Sequence, residues 1–241
     1  MLNLKGIHKP TTIQDALKLL QQPGTVALAG GTGLIADKRR DVRAVVDLSA
    51  LGLSYIREVE ATLVVAQIAI GATTTLAELT ESPILRAMAN GVIAQAAHRS
   101  AGSVLRNQGT VAGTLISEPN GILAVALLAL DAQVTVVRKE LHVVALADFL
   151  SMRDHLLMMA LLTEVTMPML NPRASLQAVA RTPRDKPIVS ACAAARIENG
   201  IARDVRIALG GVGETALRAS EAEKMLEGQT LSDALIENAV R

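Results

Sequence analysis

Ala29-Gly30-Gly31-Thr32-Gly33-Leu34 is the stretch on which the reading of this chain turns. It follows Val26-Ala27-Leu28, a short apolar run that reads as a buried strand, and leads into Leu34-Ile35-Ala36-Asp37-Lys38-Arg39, which reads as the start of a helix. Glycine permits positive φ and lets a ligand come close to the backbone. A strand-turn-helix junction of this kind offers amide N–H groups that cradle a phosphate. A second glycine-centred turn lies far along the chain, Arg106-Asn107-Gln108-Gly109-Thr110-Val111-Ala112-Gly113-Thr114. Hydroxyls stand beside the glycines in both (Thr32; Thr110 and Thr114). The pair points to a ligand with two phosphates held between distant parts of the chain. On the residues by themselves, a tight turn without a ligand stays open as the alternative, because isolated glycine motifs are common.

Composition narrows the classes. Half of the 241 residues are hydrophobic, yet there is no Trp, one Tyr (Tyr55) and one Phe (Phe149), so the core must be aliphatic. The length suffices to bury a sizeable core. Net charge is +1 with the signs interspersed, and base-stacking aromatics are scarce, which speaks against a nucleic-acid partner. No apolar run is long enough to span a bilayer, and the first residues lack the apolar stretch of a signal peptide. The chain therefore reads as cytoplasmic.

Side-chain chemistry is sparse. Cys192 is the only cysteine, so the chain by itself makes no internal disulfide and ligates no iron–sulfur cluster. It sits in the apolar run Ile188 to Ala195 and reads as a small buried hydrophobe. His8, His98, His142 and His155 lack the spacing of zinc ligands. No Gly-x-Ser-x-Gly elbow is present. If this is an enzyme, its chemistry comes from a cofactor. Lys38-Arg39-Arg40 reads as a solvated helix end rather than a phosphate clamp, since cations suit helix C-termini.

Helices and strands alternate without sequence repeats. Thr11-Thr12 caps an amphipathic helix that stops at Pro23-Gly24. Ala44 to Leu48 is a second buried strand, broken at Gly52. Leu63-Val64-Val65-Ala66 and Ala69 to Ala72 read as a hairpin, and Thr75 caps a short helix through Leu79. Ser82-Pro83 opens a longer helix, Ile84 to about His98. Ile122 to Leu130 reads as a buried helix and Gln133 to Val137 as a strand. Further on, Leu176–Val179, Val189–Ile197 and Val205–Leu209 read as antiparallel strands with a turn at Glu198-Asn199-Gly200. Ala219 to Leu226 and Leu231 to Val240 read as helices on one face of that sheet.

Leu28-Ala29-Gly30-Gly31-Thr32-Gly33-Leu34 and Arg106 to Leu115 resemble, in order, the two signatures of the FAD-binding (medium) subunit of molybdenum hydroxylases. That family includes xanthine dehydrogenase and aerobic carbon monoxide dehydrogenase. Lesser matches keep the family order: Ile70 to Thr74, Leu127 to Ala132, Leu161-Leu162-Thr163-Glu164-Val165 up to Pro168, and Ile207 to Val212. The resemblance implies an α+β protein. Its parts would be a two-lobed FAD-binding fold of the vanillyl-alcohol-oxidase/PCMH type over 1–168 (lobes 1–53 and 54–168) and a small antiparallel-sheet-plus-helices lobe over 169–241. A further helical tail is usual in the family, so the last lobe reads as shortened. Non-covalent FAD is implied at Ala29, Gly30, Gly31, Thr32, Gly33, Leu34, Thr110, Val111, Ala112, Gly113, Thr114, Asn120 and Leu162. The implied partners are a molybdopterin-binding large subunit and a small subunit with two 2Fe–2S clusters. Electrons would pass through FAD to a small-molecule acceptor such as NAD, a quinone or oxygen.

Departures from the family pattern imply a weakened flavin site. Ala112 stands for a glycine and Thr114 for an asparagine. Ile122 takes the place of an aspartate, with Asn120 as substitute, and Gln177 takes that of a lysine. Each removes about one hydrogen bond, roughly 1 kcal/mol. They leave open a degenerate subunit that serves as a scaffold without flavin. A stand-alone flavoprotein oxidoreductase is a further alternative. Arg106-Asn107 reads as a structural pin for the second turn. Arg181-Thr182-Pro183-Arg184-Asp185 resembles a family segment near the flavin ring, and reads equally as a solvated charged connection.

Overall fold

A computed structural model describes residues 4–36, 41–60, 66–182 and 185–239. Lys38-Arg39-Arg40, Leu63 to Val65, Pro183-Arg184 and Val240 lie outside the described residues, and so do the expectations that rest on them.

The N-terminal part runs β1 (Gly6–His8), α1 (Ile13–Leu20), β2 (Thr25–Leu28), α2 (Thr32–Ala36) and β3 (Ala44–Asp47). The strands form a parallel sheet in the order β1-β3-β2. Thr12 caps α1 as its sequence predicts, its hydroxyl accepting from the Asp15 N–H at 3.1 Å. Ala16 and Leu17 of α1 meet Val46 and Leu48 in a small core that Leu161, from much later in the chain, completes.

The middle part contains β4 (Ile56–Val59), β5 (Gln67–Gly71), α3 (Leu76–Glu81), α4 (Pro83–Ala87), α5 (Val92–Ser100), α6 (Ser103–Arg106), α7 (Val111–Ser117), α8 (Ile122–Ala129), β6 (Gln133–Val137), β7 (Leu141–Ala145), α9 (Leu146–Leu156) and β8 (Leu161–Pro168). Its antiparallel sheet has the order β4-β5-β8-β6-β7. β5 pairs with Ile56–Val59, an edge strand too exposed to show hydrophobic alternation, while the first arm of the hairpin expected at 63–72 lies outside the described residues up to Val65. Thr75 and Glu78 form a full capping box at α3. The long helix expected over 84–98 is corrected, because it breaks into α4, a 3-10 turn at Met88–Gly91, and α5. Ala89 and Asn90 take left-handed backbone there (φ 47° and 56°). Distant groups hold the break. Asn171 Oδ1 accepts from the Ala89 N–H at 2.9 Å, and Asn90 Nδ2 donates to the Ala174 carbonyl at 3.1 Å.

Every residue of α8 is buried, which its unbroken apolar sequence predicts. The helix packs on α5 on one side and on the following sheet on the other. Burial of each of its Leu side chains contributes about 1.5–3 kcal/mol. That sheet, β12-β11-β10-β9, is antiparallel and comprises β9 (Arg173–Val179), β10 (Val189–Glu198), β11 (Ile201–Gly210) and β12 (Leu217–Arg218). Asn199 and Gly200 turn β10 into β11 with φ of 52° and 81°, as a two-residue hairpin requires. Helices α10 (Ser220–Leu226) and α11 (Asp233–Ala239) follow. The arrangement is α+β with an aliphatic core, and Phe149 is the one aromatic side chain in it.

Candidate functional site

The first glycine turn joins β2 to α2. Gly31 has φ +72°, the left-handed region in which glycine meets no penalty. A Cβ on Gly30 would lie 1.7 Å from the Gln108 carbonyl oxygen, so the first turn rests directly on the backbone of the second. The first helical bond of α2 runs from the Ile35 N–H to the Gly31 carbonyl at 3.1 Å. The N–H groups of Thr32, Gly33 and Leu34 therefore have no backbone acceptor among the described residues, as at any helix start.

The second turn is built differently. Its latter half, Val111 to Thr114, is the opening of helix α7 rather than a loop. Val111 N–H donates to the Thr74 carbonyl at 2.9 Å, and Ala112 N–H to the Ala72 carbonyl at 3.2 Å. Gly113 N–H donates to the Thr110 hydroxyl at 3.2 Å. Gln108 and Gly109 both donate to the Leu105 carbonyl, at 3.2 and 2.7 Å. The expectation of free amides in both turns is corrected: the second turn uses these in its own fold. Arg106 pins it as predicted, donating from Nη1 to the His98 and Ala101 carbonyls at 3.1 and 2.8 Å.

Between the two turns lies a cleft of about 460 Å³, within the roughly 300–1,000 Å³ usual for small-molecule sites. Ala29, Gly30, Gly31, Thr32, Gly33 and Leu34 line one side, and Thr110, Ala112, Gly113 and Leu162 the other. Val111, Thr114 and Asn120 stand outside it. Val111 is fully buried in the core. Asn120 lines a separate crevice of about 180 Å³ beside Ser190 and Gly210, where its Nδ2 donates to the Gly213 carbonyl at 3.3 Å. Gln177 is exposed on β9 and lines neither. Leu20, Leu48, Ile116, Ser117 and Met159 also line the large cleft, and sequence reasoning missed them. They are single apolar or hydroxyl side chains from α1, α7 and two connections, and carry no motif.

No charged and no aromatic side chain is among the described residues lining this cleft. An anion there meets amide dipoles and hydroxyls alone, and a planar ring meets aliphatic walls. None of these described lining groups is an acidic or basic side chain. Cys192 is fully buried, and burial pushes its thiol up to about 12, which keeps it protonated and inert. No group of three metal-ligating side chains occurs among the described residues. No single helix among them is long and apolar enough to cross a membrane.

Comparison with known proteins bears on this arrangement. Residues 2–170 match the family described as FAD binding domain in molybdopterin dehydrogenase, and residues 174–241 match the CO dehydrogenase flavoprotein C-terminal domain. The 6-hydroxypseudooxynicotine dehydrogenase complex subunit alpha of Paenarthrobacter nicotinovorans is 33% identical over 240 residues, 92% of this chain and 77% of that one. The glyceraldehyde dehydrogenase medium chain of Sulfolobus acidocaldarius is 26% identical over 94% of this chain and 82% of its own length. Among solved structures, a chain of reconstituted CO dehydrogenase from Oligotropha carboxidovorans superposes with TM-score 0.86 at 27% identity, covering 98% of this chain and 84% of that one.

Proposed function

Because this chain belongs to the family of FAD-binding medium subunits of molybdenum hydroxylases, we propose that it holds FAD non-covalently in the cleft between the two turns. It serves as the electron-transfer subunit of a complex. A molybdopterin-binding large subunit and a small subunit with two 2Fe–2S clusters are its partners, and the electrons leave to an external small-molecule acceptor. Residues 1–168 act as the FAD-binding unit, with lobes 1–53 and 54–168, and 169–241 form the C-terminal lobe. The relatives support this setting, one being named as a subunit of a dehydrogenase complex and another as a medium chain.

The observation that carries the reading is the row of amides at Thr32, Gly33 and Leu34 in the cleft lining, which have no backbone acceptor among the described residues. A pyrophosphate needs several donors to replace its water. The first turn supplies them, with the Thr32 hydroxyl beside them, and the aliphatic walls suit the rings. The residues present therefore fit FAD. When bound, FAD supplies the exchange between one-electron and two-electron transfer; the protein binds, orients and shields it. The lack of an acid/base cluster among the described lining residues argues against a stand-alone oxidoreductase that acts directly on its substrate.

A flavin-free scaffold is the second reading, favoured by the internal bonding of the second turn's amides. A visible spectrum separates the two. The purified complex, or the chain reconstituted with excess FAD, is expected to show flavin bands that acid precipitation releases into solution. A protein that stays colourless inside an intact complex is the scaffold.

A further inference from the structure

Met159 stands apart from the other non-glycine residues with left-handed backbone. Those others are Ala89 and the short polar residues Asn90, Asp131, Asn171, Asn199 and Asp204. Asn and Asp tolerate this region, whereas a long side chain there is an outlier. Met159, at φ 55°, is the one long apolar side chain so placed among the described residues. Its conformation is imposed from both sides. The Leu157 N–H closes the end of α9 on the Arg153 carbonyl at 2.9 Å, and the Ala160 N–H returns to the Leu157 carbonyl at 3.2 Å just before β8 begins.

The strained residue is also at the cleft. Met159 lines it while remaining 57% exposed, so its side chain forms part of the mouth rather than of the core. No other thioether and no aromatic ring is among the described residues that line the cleft. Phe149 is fully buried, and Tyr55 is turned to Glu164, donating from its hydroxyl to Oε2 at 2.7 Å. A thioether is polarizable, flexible and favourable against aromatic rings. Backbone strain persists where the surroundings enforce it, and it collects at ligand sites.

We propose that Met159 covers the mouth of the cleft, packing its thioether on a flat ring of the bound dinucleotide, and that its left-handed backbone is kept because it aims the side chain there. The proposal rests on the reading of the cleft as the FAD site. It differs from a purely structural role in the sign of two effects. Glycine at 159 relieves the backbone and removes the cover together.

The full chain, stripped of flavin, is compared with Met159→Gly and Met159→Leu by thermal unfolding without FAD and by FAD titration. Met159→Gly is expected to raise the unfolding temperature of the apo chain by about 2–4 °C and to weaken FAD binding by about five- to tenfold. Met159→Leu keeps the bulk and the strain without the sulfur, so its unfolding temperature should match the parent and its affinity fall by about two- to threefold. Undiminished FAD binding by Met159→Gly, with the parent binding normally, overturns the role of Met159 and leaves the cleft reading intact. A fall in its unfolding temperature overturns the strain argument. Failure of the parent itself to bind FAD overturns the cleft reading and this proposal with it.

Discussion

The two glycine turns look alike in sequence and do opposite work in the fold. Around Gly30-Gly31 the backbone lines the cleft, and the Thr32, Gly33 and Leu34 amides have no backbone acceptor among the described residues. Around Gly109 to Gly113 the amides are tied to Leu105, Thr74, Ala72 and Thr110, and the turn becomes the platform on which the first one sits. A glycine can be required because a ligand approaches or because another piece of backbone does. The residue letters do not say which. Gly30 illustrates the second case: what excludes a side chain there is the Gln108 carbonyl, before any ligand arrives.

The largest expected effect follows from that contact. Gly30→Ala places a methyl inside the Gln108 backbone, with no flexible side chain to yield, so the two turns must separate. The expected cost exceeds about 4 kcal/mol of stability, the range of severe overpacking, with loss of flavin as a consequence. Thermal unfolding and soluble yield report it. A variant that folds like the parent would break the claim that the second turn is the platform for the first.

Next in size is Gly31→Asp. Aspartate tolerates the left-handed region better than most residues, and the nearest contact for its Cβ is the Leu28 Cδ1 at 3.0 Å, the end of a flexible side chain. The fold should survive while a carboxylate enters beside the phosphates. FAD affinity is expected to drop by about 100-fold, roughly 3 kcal/mol, in a titration of the apo chain. Equal flavin retention in variant and parent would show that the pyrophosphate lies elsewhere.

Much of the frame around these turns is legible in the sequence because it rests on local chemistry. Thr12 and Thr75 are caps, Asn199-Gly200 is a two-residue turn, and the apolar run of α8 has no polar face to expose. The unreadable parts depend on partners distant in sequence. The break at Met88–Gly91 is held by Asn171 and by the Ala174 carbonyl, so the run after Ser82-Pro83 presents an uninterrupted helix to a local reading. Edge strands β4 and β7 are mostly exposed and lack alternation. At the site, the glycine run marks one wall. Leu20, Leu48 and Met159 reach the cleft only through the packing of α1, β3 and α9, which no short motif encodes.

A smaller effect sharpens the contrast from the side of the second turn. Thr110 is buried, lines the cleft and caps α7 with its hydroxyl. Thr110→Val keeps the shape and strands the Gly113 N–H. The expected loss is about 1 kcal/mol of stability, read by denaturant unfolding, with FAD affinity within about threefold of the parent. A loss of flavin much larger than the loss of stability would mean that the Thr110 hydroxyl serves the ligand, and that the second turn is less self-contained than its hydrogen bonds indicate.

The smallest effect concerns what the second turn hangs from, and it shows as a pH dependence. The Val111 N–H bonds to the Thr74 carbonyl, and the Thr74 hydroxyl in turn exchanges hydrogen bonds of 3.0 Å with the Tyr55 N–H and carbonyl. Burial, and then the hydrogen bond to Glu164, raise the Tyr55 hydroxyl from 10.0 to about 12, while Arg57 over the ring at 4.7 Å works in the other direction. The folded state thus holds this proton more tightly than the unfolded chain. Its contribution to stability is intact below pH 10 and is lost as the pH rises toward 12. Stability measured by unfolding between pH 8 and 11.5 is expected to fall more steeply in the parent than in Tyr55→Phe, which has no proton to lose at that position. Because Tyr55→Phe keeps the backbone bonds of residue 55 to Thr74, the two proteins should retain FAD equally at neutral pH. Parallel pH profiles would show that the fold holds the Tyr55 hydroxyl proton no more tightly than the unfolded chain does, and would leave the backbone bonds between Tyr55 and Thr74 as the support of the second turn.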